Sequence, residues 1–127
     1  MPCSVSLLSA AVLACLAEAS SAQRQLVEVT LPSDRPLVRQ LTAPPRDFVE
    51  LCTRLPAGAL LDWAFESEAP VGFNIHFHLE GTVRYPESIS AVTAAKGRLA
   101  PVASHDYCRQ WSNPGAASTN IRVRITP

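Results

Sequence analysis

Gly72-Phe73-Asn74-Ile75-His76-Phe77-His78-Leu79-Glu80 alternates apolar and polar side chains without a break. A strand sends successive side chains to opposite faces, so Phe73, Ile75, Phe77 and Leu79 share one face and Asn74, His76, His78 and Glu80 the other. This is the signature of a half-buried strand. The same period recurs on both sides of it. Leu61, Trp63 and Phe65 oppose Asp62, Ala64 and Glu66; Ile121, Val123 and Ile125 oppose Asn120, Arg122, Arg124 and Thr126; Val27, Val29 and Leu31 oppose Leu26, Glu28 and Thr30. Trp63 and Phe65 read as core. Turn-forming residues punctuate the chain at Pro32-Ser33-Asp34, Pro44-Pro45, Pro56-Ala57-Gly58, Ala69-Pro70, Glu80-Gly81, Tyr85-Pro86, Lys96-Gly97 and Asn113-Pro114-Gly115. Short alternating runs with frequent turns predict an all-β fold, an antiparallel β-sandwich of roughly seven to eight strands. Only residues 47–55 are ambiguous, because Phe48, Leu51, Cys52 and Leu55 also fit one face of a helix.

Upstream, Leu7 to Ala17 is apolar except for Ser9, and Glu18 and the small residues Ala19-Ser20-Ser21-Ala22 follow. The stretch is too short to span a bilayer and has the length of a signal-peptide core. Residues 1–22 are therefore expected to be a signal peptide and 23–127 one exported domain, periplasmic or secreted, with no transmembrane segment in the mature chain. The absence of Lys or Arg in Met1 to Ser6 departs from the usual leader. Val12-Leu13-Ala14-Cys15 loosely resembles a lipobox, which would place a lipid anchor at Cys15, but Leu13 is poor there and Ala22 offers the better cut.

Acidic and basic residues balance at 11 each, so nothing in the charge calls for nucleic acid as a partner. Of four cysteines, leader removal takes Cys3 and Cys15 and leaves Cys52 and Cys108. In an oxidising compartment these two form one disulfide.

His76 and His78 leave the same face of one strand about 7 Å apart, a spacing at which two imidazoles can converge on a Cu or Zn ion. Glu80 continues that face, and His105 lies just before another strand. A four-ligand zinc site of Cys52, Cys108, His76 and His78 is the sharper variant, but an oxidising compartment favours the disulfide. The plain alternative is an ordinary solvated sheet face.

The stretch Asp106 to Asn113 holds a conflict of parity. If Cys108 points inward, Tyr107, Arg109 and Trp111 point outward; if the two aromatics are core, Arg109 is buried between them. A β-bulge near Arg109 or Gln110 would resolve the conflict structurally. An exposed Tyr107-Arg109-Trp111 ridge would resolve it functionally, as a face for a ligand or partner.

Catalysis is not expected. Ser104-His105-Asp106 are adjacent and diverge on an extended chain, and G-x-S-x-G, H-E-x-x-H and phosphate-binding glycine loops are lacking.

The order Cys52, Leu55-Pro56-Ala57-Gly58, Leu61-Asp62-Trp63-Ala64-Phe65, Val71-Gly72-Phe73-Asn74-Ile75, and then Tyr107-Cys108-Arg109-Gln110-Trp111-Ser112-Asn113 resembles a GOLD (Golgi dynamics) β-sandwich over about residues 48–126. That resemblance implies a non-catalytic extracytoplasmic module that binds an unknown protein or small ligand, here as a soluble bacterial-envelope version. His76-Phe77-His78 departs from the family pattern, so metal binding through it stands apart from the resemblance, as the alternative function.

Overall fold

The computed structural model describes residues 26–127; the expected leader, with Cys3, Cys15 and the expected cleavage site, lies outside them. The described chain is all-β, with seven strands: β1 (Leu26–Glu28), β2 (Leu37–Ala43), β3 (Phe48–Leu55), β4 (Leu61–Leu79), β5 (Thr82–Leu99), β6 (His105–Ser112) and β7 (Thr119–Thr126). The ambiguous segment around Phe48 is thus a strand.

β4 organises the rest because it is long enough to serve two layers. Its first half, Asp62 to Ser67, pairs antiparallel with β7, and its second half, Gly72 to His76, pairs antiparallel with β6. Between the halves the register against β5 shifts, at Glu66 to Val71, and Pro70, which cannot donate to a ladder, sits in that irregular stretch. One layer therefore runs β2-β7-β4-β5 and the other β1-β3-β6-β4-β5. The expected sandwich is what the chain forms. β4 and β5 are joined through Glu80 and Gly81, both with positive φ (50° and 75°), the two-residue turn whose twist matches that of the strands it joins.

The core lies between the layers, and the alternation read from sequence places it. Trp63, Phe65, Phe73, Ile75, Ile121, Val123 and Ile125 are buried. Trp63, Phe65, Phe73 and Trp111 form one aromatic cluster with ring centroids 4.8 to 6.4 Å apart. Asn113 closes the end of the sandwich: its Nδ2 donates to the carbonyls of Ala43, Pro44 and Ala117, and its Oδ1 accepts from the Gly115 N–H.

β6 settles the parity conflict. It pairs with β3 over its whole length and with β4 over part of it, in unbroken register, so no bulge is present. Tyr107, Arg109 and Trp111 all face the core, with exposures of 1%, 0% and 1%, which corrects the expectation of an exposed ridge. Burying two aromatic side chains outweighs the cost of carrying one guanidinium in with them. Cys108 and the disulfide are turned to the outer face instead.

Candidate functional site

The outward positions of β3, β6 and β4 are fixed by register. Cys52 stands opposite Cys108, and Cys108 opposite His76, so the three occupy one row across three strands. The adjacent row on the same face is Glu50, Gln110 and Asn74. Cys52 and Cys108 form the expected disulfide, with Cα atoms 4.0 Å apart.

His76 is the most constrained group on this face. Its Nδ1 lies 2.7 Å from Oδ1 of Asn74, two residues back on the same face of β4. A carbonyl oxygen only accepts, so Nδ1 carries the hydrogen and the neutral ring presents its Nε2 lone pair. Nε2 lies 3.6 Å from Oε1 of Glu50, and these side chains are only 9% and 19% exposed. Burial holds the His76 pKa below the ordinary histidine range; Glu50 opposes that shift and His78 adds to it. At neutral pH two electron-rich atoms thus face each other in a half-buried setting. Sγ of Cys108 joins them, all three ligand atoms lying within 4.8 Å of one another.

Around this group the outer face dips into a concavity of about 900 Å³, walled by β1 on one side and by Val83 and Tyr85 of β5 on the other. The His78 ring stands edge-on to His76 with centroids 5.7 Å apart, and the Tyr85 ring lies 5.9 Å from His76. Tyr85 is 59% exposed, an aromatic side chain held at the rim.

His76 and His78 are therefore neighbours, as their spacing predicts. Glu80 and His105 do not join them. Glu80 has left the strand for the turn, where the alternation that would align it with His78 no longer applies. His105 stacks on Phe77, centroids 5.2 Å apart, and Phe77 is a buried core-facing residue, so this ring belongs to the other side of the layer. The residues that sequence reasoning missed are Glu50 and Asn74. Asn74 was visible as a member of the His76 face; Glu50 was hidden in the segment whose period fitted a helix as well as a strand.

The residues of Ser104-His105-Asp106 go three ways: Oγ of Ser104 accepts from the Ala57 N–H, His105 stacks on Phe77, and Asp106 lies 3.9 Å from Arg54. They form no relay.

No family model matches the chain, and no curated protein matches it significantly. Solved structures do share its fold. The pre-peptidase C-terminal domain of collagenase from Bacillus anthracis is similar with a TM-score of 0.60 at 6% identity, covering 80% of this chain and 94% of that one. The Yersinia pseudotuberculosis-derived mitogen is similar with a TM-score of 0.57 at 11% identity, covering 72% of this chain and 85% of that one. At these identities the likeness is one of β-sandwich architecture, and neither structure is a GOLD domain.

Proposed function

We propose that this chain is a non-catalytic, extracytoplasmic binding module that takes a protein or small ligand on the outer face of the β1-β3-β6-β4-β5 layer. The observation that carries this reading is the concavity on that face, where Glu50, His76, His78, Tyr85 and Gln110 converge. Sites of this kind combine a concave surface with a few placed polar groups. The Cys52–Cys108 disulfide supports an oxidising compartment, in keeping with the leader. The GOLD-type resemblance points to the same role. The divergence of Ser104, His105 and Asp106 supports the absence of a hydrolytic centre.

The test is a pair of photo-cross-linking residues, one at Tyr85 on this face and one at Arg124 on the opposite layer, in protein exported by its natural host. Adducts formed at position 85 and not at 124 support the reading. Equal yields at both positions, or adducts only at 124, overturn it.

A second reading, binding of a copper or zinc ion, is favoured by one observation: the Nε2 lone pair of His76 faces the Glu50 carboxylate at 3.6 Å with His78 alongside. With the disulfide intact this offers two or three ligands, a site for weak binding. Calorimetric titration of Cu²⁺ and Zn²⁺ tests it. Heat that persists unchanged in a His76→Ala/His78→Ala double variant contradicts the assignment.

A further inference from the structure

The row Cys52, Cys108, His76 places the Cys108 sulfur beside a preorganised imidazole and a half-buried carboxylate, with the Cys52 sulfur bonded to it. We infer that reduction of the Cys52–Cys108 disulfide turns this row into a tetrahedral Zn²⁺ site with Cys52, Cys108, His76 and Glu50 as its four ligands. The four residues line the concavity of the proposed binding face, so metal and ligand would share it, but the metal site does not depend on the ligand's identity.

The donor set is chemically complete only after reduction. A disulfide sulfur carries no charge and is a poor ligand, whereas two thiolates with one imidazole and one carboxylate make the four-coordinate nitrogen, oxygen and sulfur shell that Zn²⁺ prefers. The geometry asks for little movement. Zn–S bonds of about 2.3 Å in a tetrahedron hold the two sulfurs about 3.8 Å apart. Cys52 and Cys108 are directly opposed on neighbouring strands with Cα atoms 4.0 Å apart, so side-chain rotation alone can open that gap. The ligand atoms of Glu50, His76 and Cys108 already lie within 4.8 Å of one another, and contraction by about 1 Å reaches the ligand–ligand distances of a zinc tetrahedron.

The outer support of the site is also present. Asn74 accepts from Nδ1 of His76, which fixes the tautomer and leaves Nε2 for the metal, the arrangement in which ligating histidines are normally held. The residue that completes the set is Glu50 rather than His78, because Glu50 is half-buried beside Nε2 of His76, while His78 is exposed.

The redox step balances as a thiol–disulfide exchange. A dithiol reductant gives two electrons and two protons to the Cys52–Cys108 bond and is itself oxidised to a disulfide; Cys52 and Cys108 become thiols. Zn²⁺ then displaces the two thiol protons, which pass to solvent. In the reverse exchange a disulfide oxidant takes two electrons from the Cys52 and Cys108 thiolates and is itself reduced to a dithiol, and the metal leaves as the S–S bond re-forms.

Cobalt substitution tests this on the purified protein, with a phosphine as reductant so that no competing thiol is added. The reduced protein is expected to take up one Co²⁺ per chain. Its spectrum should show thiolate-to-cobalt charge transfer and the strong visible bands of a tetrahedral centre, displaced by one equivalent of Zn²⁺. The oxidised protein should show neither. His76→Ala and Glu50→Gln should each weaken Zn²⁺ binding to the reduced form by at least about 10-fold and alter the visible bands. Thiolate charge transfer whose bands and affinity are unchanged in both variants would assign the metal to the cysteines alone and overturn the four-ligand site. Absence of charge transfer overturns it outright. If reduction unfolds the chain, the readout becomes far-ultraviolet circular dichroism: one equivalent of Zn²⁺ should restore the β signal in the wild type and not in His76→Ala, and failure to restore it in the wild type counts against the site.

Discussion

Nη1 of Arg109 donates to Oγ1 of Thr53 at 3.1 Å, and Nε and Nη2 of the same guanidinium have no hydrogen-bond partner among the described residues. A cation is thus carried into the core by the two aromatic residues that flank it on β6, and burial pushes its pKa down to about 10. A buried, incompletely paired charge is commonly neutral or stabilising to replace with an apolar side chain of similar size. Arg109→Met is expected to keep the fold and raise stability by about 1–3 kcal/mol in urea denaturation. A loss of that size would mean that the guanidinium is better satisfied than this geometry allows.

Asn113 acts in the opposite sense, as a buried polar group whose side-chain nitrogen and oxygen are both hydrogen-bonded. Replacing it with Ala removes a donor from the carbonyls of Ala43, Pro44 and Ala117, of which Pro44 keeps the Asp47 N–H, and the acceptor of the Gly115 N–H at one end of the sandwich. Asn113→Ala should cost about 2–4 kcal/mol, because buried groups left unpaired carry their full desolvation penalty. The midpoint of a denaturation curve checks this, and a shift below about 0.5 kcal/mol, the range of unremarkable surface substitutions, would argue against it.

Gly97 lies opposite Trp63 in the β4–β5 ladder, and a Cβ at this position would come within 2.5 Å of Cζ2 of that indole. The ring is core and cannot move away cheaply. Gly97→Ala is expected to destabilise by about 1–3 kcal/mol and to perturb Trp63 fluorescence. Gly97→Ala/Trp63→Phe should recover part of that loss.

His76 links stability to pH. Its folded-state pKa lies below that of the unfolded chain, so in the interval between the two the unfolded state binds more protons and stability rises with pH. The contribution is complete above about pH 6.5, the ordinary histidine value, and falls away as the pH drops from there through the lowered value. His76→Asn should flatten the stability profile over that acid window and leave it unaltered above neutrality. A profile of equal slope in both proteins would assign the effect elsewhere.

Much of the fold was legible because burial imposed a strict period on β4 and β7, and because the turn at Glu80-Gly81 is chemically explicit. β5 was not legible. Among the described residues it pairs with β4 alone, and much of it is exposed, so no apolar period marks it. Tyr85-Pro86 and Lys96-Gly97 read as turns yet lie within it. An unpaired edge tolerates a proline that cannot donate, and Gly97 is there to admit the Trp63 ring. Ala69-Pro70 misled in the same way, marking the bend of β4 rather than its end. β2 escaped notice because Arg39 falls between the buried Leu37 and Leu41 and spoils their period. The site was half legible. His76, His78 and the disulfide could be named from spacing and cysteine arithmetic, but the register that sets Glu50 and Cys108 beside His76 is a property of strand pairing over more than twenty residues of separation, which no local pattern encodes.

Glu50 and His76 share one half-buried site at the centre of the binding face. The most direct measurement is the His76 imidazole titration followed by NMR in metal-free protein, with and without Glu50→Gln. His76 is expected to titrate below the ordinary histidine range, and to move lower still once the Glu50 charge is removed, because that carboxylate is the one group raising its pKa. An ordinary His76 pKa, or one that Glu50→Gln leaves where it was, would contradict the site.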